Sequence, residues 1–511
     1  MKRPMLILGL DGFEPSIAEC LLAKGGMPNL RALSAASARY RLDHGEAKRT
    51  GLAWEHFALG REPSAYGRHA AVHFDPATYL VNQEGTSSKP FLADLAKQVL
   101  VFDAPYFDLG AAPNCTGLVS WGAHDAGVTP HCNPAGLTEE ITSKFGPYPA
   151  TKYIYGFVWP NKRKARNMAT ALVEAVEQRS AIGHWLCTER LPGWDVAVIV
   201  VSEFHSAVEA LWHGYDPDHP LHDHRSSKPA RAGIIGVYEA FDRMLGVYRR
   251  SIPEADMIAF SMHGMGPNES DVPTMLLLPE LMYRASVGTA LFEPREDWRG
   301  ALLPTLERKE SWNRAVKSCL QHQREDDGTG LPLDWMPATA YRRYWPTMEA
   351  FALPSYYDGR IRINLKGRER DGLVSATDYG AKLDEICALL EECRDPRTNQ
   401  PVVRHITRPV AADPLKAGPT ESDLVVVWRG APLAFQHHRY GLIGPAPYRR
   451  TGGHTGDSGI AYFSTPQLPR GDFGTASAFD VAPTLVDLLG QPQLPHLSGR
   501  SLLQAECAAA V

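Results

Sequence analysis

The chain has no CxxC pair, no basic excess, no long apolar run and no internal repeat, and each absence removes a class of protein. Its eight cysteines (Cys20, Cys115, Cys132, Cys187, Cys319, Cys387, Cys393, Cys507) are scattered, so neither a secreted disulfide framework nor a thiolate zinc site is expected. Lys and Arg number 53 against 58 Asp and Glu, a formal charge of −5. Binding to a phosphate backbone normally shows as a basic excess, so a nucleic-acid polymer is not the expected partner. The opening stretch, MKRPMLILGLDGFE, is interrupted by Asp11 after an apolar run of about six residues. That is too short for a signal-peptide core or for the roughly 18 residues of a membrane span, and no other stretch approaches that length. The expectation is a soluble cytoplasmic protein with no membrane partner. With 44 Gly and 40 Pro the composition is ordinary, which removes collagen-like and disordered classes. What remains is a chain of 511 residues, 44% hydrophobic and 22% charged. Such a length allows about two to four domain-sized units, or one large α/β domain with insertions. The one unusual count is 19 His, which points toward metal or proton chemistry.

Short apolar runs alternate with helical patterns, which predicts an α/β fold with a doubly wound, mostly parallel sheet. The expected core strands are Met5–Leu10, Val99–Phe102, Val196–Val201, Met257–Ser261 and Ile460–Phe463. The expected helices are Asn167–Arg190, Ala230–Arg250, Ala381–Cys393 and Val481–Gly490. The segment from about Leu291 to Asp371, rich in Trp, Arg and Tyr and holding the polar loop QHQREDDGTG, reads as an insertion. Residues from Ile361 to Val427 read as a small strand–helix–strand subdomain. The division expected is a core of residues 1–290 and 425–511, with 291–424 as insertion and small α+β subdomain.

Several polar residues fall where such a sheet collects ligands, at strand ends. Asp11 follows the first strand and precedes Gly12; it can hold a metal or cap the next turn. Thr50 precedes an expected helix; its hydroxyl is either an N-cap or, with a metal or base to activate it, a nucleophile. His205 and Glu209 are spaced i, i+4, one face of a helix, where they can share a metal or form a solvated pair. His213, His219, His222 and His224 read as loop histidines. His263 ends a strand as MIAFSMHGMG, and His454 sits in the Gly-rich loop of GGHTGDSGIAYF beside Asp457. Together Asp11, Thr50, His205, Glu209, His263 and His454 offer ligands for one or two divalent metals along one sheet edge.

The order of these motifs resembles the alkaline phosphatase superfamily, and within it the type I phosphodiesterase/nucleotide pyrophosphatase-like proteins. The resemblance runs from LDGFE through TGLAWEHFALGREP, YEAFDRMLGVY, SMHGM, GRIRINLKGRERDGLV, ESDLVVVW and GGHTGDSGIAYF to FDVAPTLVDLLGQPQLPHLSGRSLL, nearly the whole chain. It implies an alkaline phosphatase-type fold, with Asp11 as a metal-binding carboxylate, Thr50 as the metal-bound nucleophile, and His263 and His454 as metal ligands. Two departures stand out. His205 and Glu209 occupy the places of a family Asp and, four residues on, a His; and Met262 replaces the Asp of the family's Ser-Asp-His-Gly motif. The first exchange keeps two imidazoles and one carboxylate, a set suited to zinc and also to non-haem iron. The second loses a charged ligand, so one well-occupied metal and a second that is weak, altered or absent are expected.

The activity implied is metal-dependent hydrolysis of phosphodiester or pyrophosphate bonds through a threonyl-phosphoryl intermediate. The substrate would be a small anionic phosphate or sulfate ester, with one or two divalent ions as cofactors: zinc first, manganese or iron as alternatives. Arg49 or Asn114 would contact the anionic oxygens, and Trp345 and Arg343 would stack on a leaving group or pack a subdomain interface. The rival readings are a sulfo- or phosphotransferase of the same fold, and a non-hydrolytic iron enzyme or a degenerate binding protein using His205, Glu209 and His454. A formylglycine sulfatase is disfavoured, because Thr rather than Cys or Ser holds the nucleophile position.

Overall fold

A computed structural model describes residues 3–321, 332–408 and 413–503. All but the first residue of the loop QHQREDDGTG, and Cys507, lie outside them. The centre is a nine-stranded sheet. Its order is Gly471–Ser477, Ala38–Asp43, Gly459–Ser464, Asp256–Ser261, Met5–Leu10, Val196–Val201, Val99–Phe102, Cys115–Val119, His131–Asn133. Met5–Leu10 pairs in parallel with strands on both sides, whereas Gly459–Ser464 is antiparallel to both of its neighbours. All five expected strands lie in this sheet.

The strands read as unbroken apolar runs because both faces are covered. In Met5–Leu10, alternate residues Leu6, Leu8 and Leu10 face a core that includes Ile234, Val237 and Phe241 of the helix Ser227–Ser251. Met5 and Ile7 face the opposite core, with Phe57 of the helix Ala53–Leu59 and Leu485 of the helix Val481–Leu488. The long helix expected from Asn167 starts earlier, spanning Lys162–Trp185. The Asn161 side chain caps it, accepting from the Arg163 and Lys164 amides. The charged run KRKAR hides this first turn, because it carries little apolar periodicity.

A second, four-stranded antiparallel sheet has the order Ala350–Leu353, Gly359–Ile363, Leu424–Trp428, Val403–Thr407. Its core gathers Trp298, Trp312 and Trp345, and reaches beyond residues 291–424 to Val272, Tyr448 and the hairpin of Val72–Phe74 with Val81–Gln83. Leu424–Trp428 lies inside this sheet, hydrogen-bonded on both sides. Among the described residues there is no disulfide, and no helix is long and apolar enough to cross a membrane.

Candidate active site

The parallel strands all end on one edge, and the polar loops gather there. Asp11 follows Met5–Leu10, His44 and Thr50 follow Ala38–Asp43, and His124 lies in the loop after Cys115–Val119. The helix Glu203–Tyr215 starts just beyond Val196–Val201, His263 follows Asp256–Ser261, and His454 precedes the antiparallel Gly459–Ser464.

Asp11 and His205 meet first. The His205 Nδ1 lies 3.2 Å from the Asp11 Oδ2, both side chains being buried. The chain can turn this close only because residue 12 is glycine. Gly12 has a φ of 71°, and a Cβ there would stand 2.4 Å from the His205 Cα. Gly12→Ala is expected to destabilise the fold by more than the roughly 1–2 kcal/mol of a left-handed backbone, since the collision adds to it. Urea unfolding checks this, and a variant as stable as the wild type would show that the turn yields freely.

The helix carrying His205 is anchored at its start by Glu203. Buried Arg179 donates through Nε and Nη2 to the Glu203 carboxylate at 2.9–3.1 Å, and Nη2 also lies 2.9 Å from Asp103. One turn on, Glu209 projects from the same face as His205, its Oε1 3.4 Å from the His205 Nε2. His454 approaches from across the edge with its Nε2 2.9 Å from that same nitrogen. Behind it, the His454 Nδ1 faces the His263 Nε2 at 3.4 Å, and the His263 Nδ1 lies 2.9 Å from the Gly264 carbonyl. Arg450 forms an ion pair with Glu209 while its Nε donates to Asp271 at 3.0 Å. Met262 is buried in the apolar cluster with Ile258, Phe260 and Trp54, so a core side chain stands where the sequence resemblance implies a carboxylate.

The electrostatics separate these groups. Burial pulls the His205 imidazolium toward deprotonation, but Asp11 and Glu209 outweigh it and its pKa rises to about 10. Burial opposes the Glu209 charge, yet Arg450 and His205 hold its pKa well below the usual range. Burial, with His205 beside it, keeps His454 neutral, and burial takes His263 down to about 4. Glu209 is buried and ion-paired to Arg450, and its carboxylate also faces imidazole nitrogens of His205 and His124, a donor set that fits a divalent cation.

Thr50 ends the 3₁₀ turn Gly45–Thr50, donating its hydroxyl to the Ala47 carbonyl at 2.8 Å and accepting from the Leu52 amide. The His56 Nε2 stands 3.5 Å from the Thr50 Oγ1, and the His56 Nδ1 is 2.9 Å from the His44 Nε2. His44 lies parallel to His263 with ring centres 5.9 Å apart, which links the Thr50 side to the histidine cluster. Burial lowers His56 to about 3 and His44 well below the ordinary value, so both rings are neutral. Thr50 and Arg49 line a cavity of about 730 Å³. Tyr357, from the turn between two strands of the second sheet, packs on His454 with ring centres 4.1 Å apart and reaches Gly51.

All six expected ligands are thus on one edge, in two linked groups. Asn114 is not brought there: it precedes Cys115–Val119 at the opposite edge, and its amide donates to the Leu92, Leu95 and Lys97 carbonyls. Trp345 is buried and stacked on Phe351, the interface role, and Arg343 lies over the Tyr344 ring. His213 is not a loop residue but is buried within the helix Glu203–Tyr215, bonded to Thr451 and Ser226. Sequence reasoning missed His124, His44, His56 and Arg450, none of which carries a spacing signal. His124 and Arg450 line a second cavity of about 430 Å³ with Tyr155, Trp312, Trp335 and Tyr357.

In sequence the chain matches no protein-family model and no curated protein. Phosphonoacetate hydrolase from Sinorhizobium meliloti 1021, solved in complex with phosphonoformate, superposes with a TM-score of 0.52 at 16% identity, covering 96% of this chain and 95% of that one. Its complex with phosphonoacetate gives a TM-score of 0.52 at 15% identity over the same shares, 96% and 95%. Human ectonucleotide pyrophosphatase/phosphodiesterase 5 is covered over 97% of each chain at 11% identity, with a TM-score of 0.49. The likeness to phosphonoacetate hydrolase is one of fold, over nearly the whole length of both chains, and the fold is the alkaline phosphatase type.

Proposed function

From a chain of alkaline phosphatase-type fold, we propose a metal-dependent hydrolase that transfers a phosphoryl group of a phosphodiester or pyrophosphate first to Thr50 and then to water. The observation that carries this reading is Thr50 itself, a hydroxyl at the wall of a large cavity with a neutral imidazole 3.5 Å away.

In the first step the Thr50 Oγ1 attacks phosphorus, the ester P–O bond breaks and the leaving group departs with its oxygen. For this the hydroxyl turns from the Ala47 carbonyl and its proton passes to the His56 Nε2, whose lone pair faces Thr50 when the Nδ1–H donates to the His44 Nε2. In the second step water attacks phosphorus of this threonyl ester and the Thr50 Oγ1–P bond breaks. Protonated His56 returns its proton to Thr50, and the proton from water passes to the departed group. The product leaves as a phosphate that, from a diester, still carries its second ester group. Arg49, on the same cavity wall, supplies positive charge to the phosphoryl oxygens. A divalent cation held by His205, Glu209 and His454 would supply Lewis-acid stabilisation of charge on the phosphoryl group.

The test is incubation with chromogenic aryl phosphodiesters and phosphonates, followed by acid quenching and mass spectrometry. Turnover should be lost on treatment with a chelator, and the quenched enzyme should carry a phosphoryl group on the peptide holding Thr50. Absence of both turnover and label across these substrates would sink the proposal. His56→Ala should lower turnover by about 10²–10⁴-fold, the usual worth of a positioned base, with KM little changed. An unaltered rate would remove His56 from the mechanism.

A second reading keeps the fold and abandons hydrolysis. Two imidazoles and one carboxylate also form the ligand type of non-haem Fe(II) sites, and His205, Glu209 and His454 supply that set. Iron retained through purification, with no phosphoryl label on Thr50, would favour it.

A further inference from the structure

His124 has no place in the family-like set, yet it stands inside the cluster. Its ring stacks on His205 with centres 3.8 Å apart at 25°, and its Nε2 is 3.4 Å from the Glu209 Oε2. Both side chains are buried.

The hydrogen bonds on the far sides of the rings decide what the near sides can do. The His124 Nδ1 faces the Ser206 Oγ at 3.4 Å, and that hydroxyl spends its own proton on the Ile154 carbonyl at 3.0 Å. Its oxygen can therefore only accept, which puts the proton on the His124 Nδ1. Asp11 likewise accepts from the His205 Nδ1. The Gly264 carbonyl takes the His263 Nδ1 proton, leaving the His263 Nε2 to accept from the His454 Nδ1. In His124 and His454 the tautomer so fixed turns an Nε2 lone pair toward Glu209, while the His205 Nε2 carries a proton that a bound cation would displace.

His124, His205 and Glu209 each place a ligand atom within 4.8 Å of the other two, and His454 adjoins this group through His205 and Glu209. His205 Nε2 to His454 Nε2 is 2.9 Å, His205 Nε2 to Glu209 Oε1 is 3.4 Å, His124 Nε2 to Glu209 Oε2 is 3.4 Å, and His454 Nε2 to Glu209 Oε1 is 4.0 Å. Ligands about 2.0–2.1 Å from a tetrahedral ion stand about 3.3–3.4 Å apart. The 2.9 Å contact is an N–H···N hydrogen bond from the His205 Nε2 to the His454 Nε2, and a cation taken up between them would replace that proton.

We infer that His124 is a ligand, with His205, Glu209 and His454, of a single metal ion, and that Asp11 and His263 orient ligands instead of binding a second ion. Asp11 then holds the His205 ring, His263 holds His454, and Arg450 holds the Glu209 carboxylate, the outer partners that metal sites require. The inference rests on the proposed reading of this cluster as a metal centre, and not on hydrolysis.

The experiment is zinc titration of the full chain against a competing chelator, with X-ray absorption of the zinc-loaded protein to count imidazoles. One ion per chain and three imidazoles are expected for the wild type. His124→Ala should retain two imidazoles and lose more than the roughly 10–100-fold in affinity that loss of an outer-shell partner costs. His263→Ala should keep three imidazoles and lose only that outer-shell amount. Two ions per chain, or two imidazoles in the wild type, would overturn the assignment of His124 even if the variant failed to fold. Failure of the wild type to bind zinc, manganese or iron would overturn the metal reading with it, whereas the presence or absence of phosphodiester turnover leaves these counts unaffected.

Discussion

Thr50→Ala is expected to lower turnover of an aryl phosphodiester by about 10⁴–10⁶-fold, the scale on which removal of a covalent nucleophile acts. The fold should survive. Thr50 makes only a local turn bond to Ala47 and accepts one amide from Leu52, so its loss costs about 1 kcal/mol. Thr50→Ser keeps the hydroxyl and should keep most of the rate. The measurement is steady-state kinetics on the three proteins at matched metal occupancy. Equal activity in Thr50→Ala would end the covalent mechanism, leaving direct attack by water.

Arg179→Met should cost about 3–5 kcal/mol in stability, because it strands two buried carboxylates. Arg179 is fully buried and binds both Asp103 and Glu203, with its guanidinium over the Trp121 ring at 5.0 Å. Asp103 already accepts the Trp121 and Gly122 amides, and Glu203 accepts the Tyr148 hydroxyl, so neither carboxylate can turn to water. Burial raises the Asp103 pKa even with Arg179 in place, which shows how strongly this pocket resists charge. Without the guanidinium, Glu203 would also release the start of the helix that carries His205 and Glu209. Arg179→Lys retains the charge but not the fork, and should fall between the two. Urea denaturation measures the series, and a loss below about 1 kcal/mol for Arg179→Met would mean that the helix is held by its packing alone.

The sheet was legible because its strands are buried on both faces and therefore written as continuous apolar runs. Met5–Leu10 and Val196–Val201 show this plainly, and the polar residues that end them fell on the ligand-collecting edge as the rule for open sheets requires. The same rule explains the failure at Asn114. It lies at the start of Cys115–Val119, a strand not among the five expected, and so one strand length away from the chemistry. His124 was not legible at all. Its loop has no periodicity, and it meets His205 only because Val99–Phe102 alone separates Cys115–Val119 from Val196–Val201 in the sheet. His44 and His56 were hidden differently. His44 stands in the polar stretch LDHGEAK and His56 in the mostly apolar AWEHFAL, and only the turn at Gly51 sets His56 against Thr50.

The crowding of His124, His205, His454 and Glu209 around one point has a consequence for which ion can serve. Four protein donors saturate an ion content with four ligands, as zinc commonly is, and leave it no vacancy for a substrate. An ion that prefers six, such as manganese, would retain two adjacent or opposed openings. The geometry that makes this cluster a strong trap for zinc thus makes coordination number, rather than affinity, the property that separates an inert occupant from a working one.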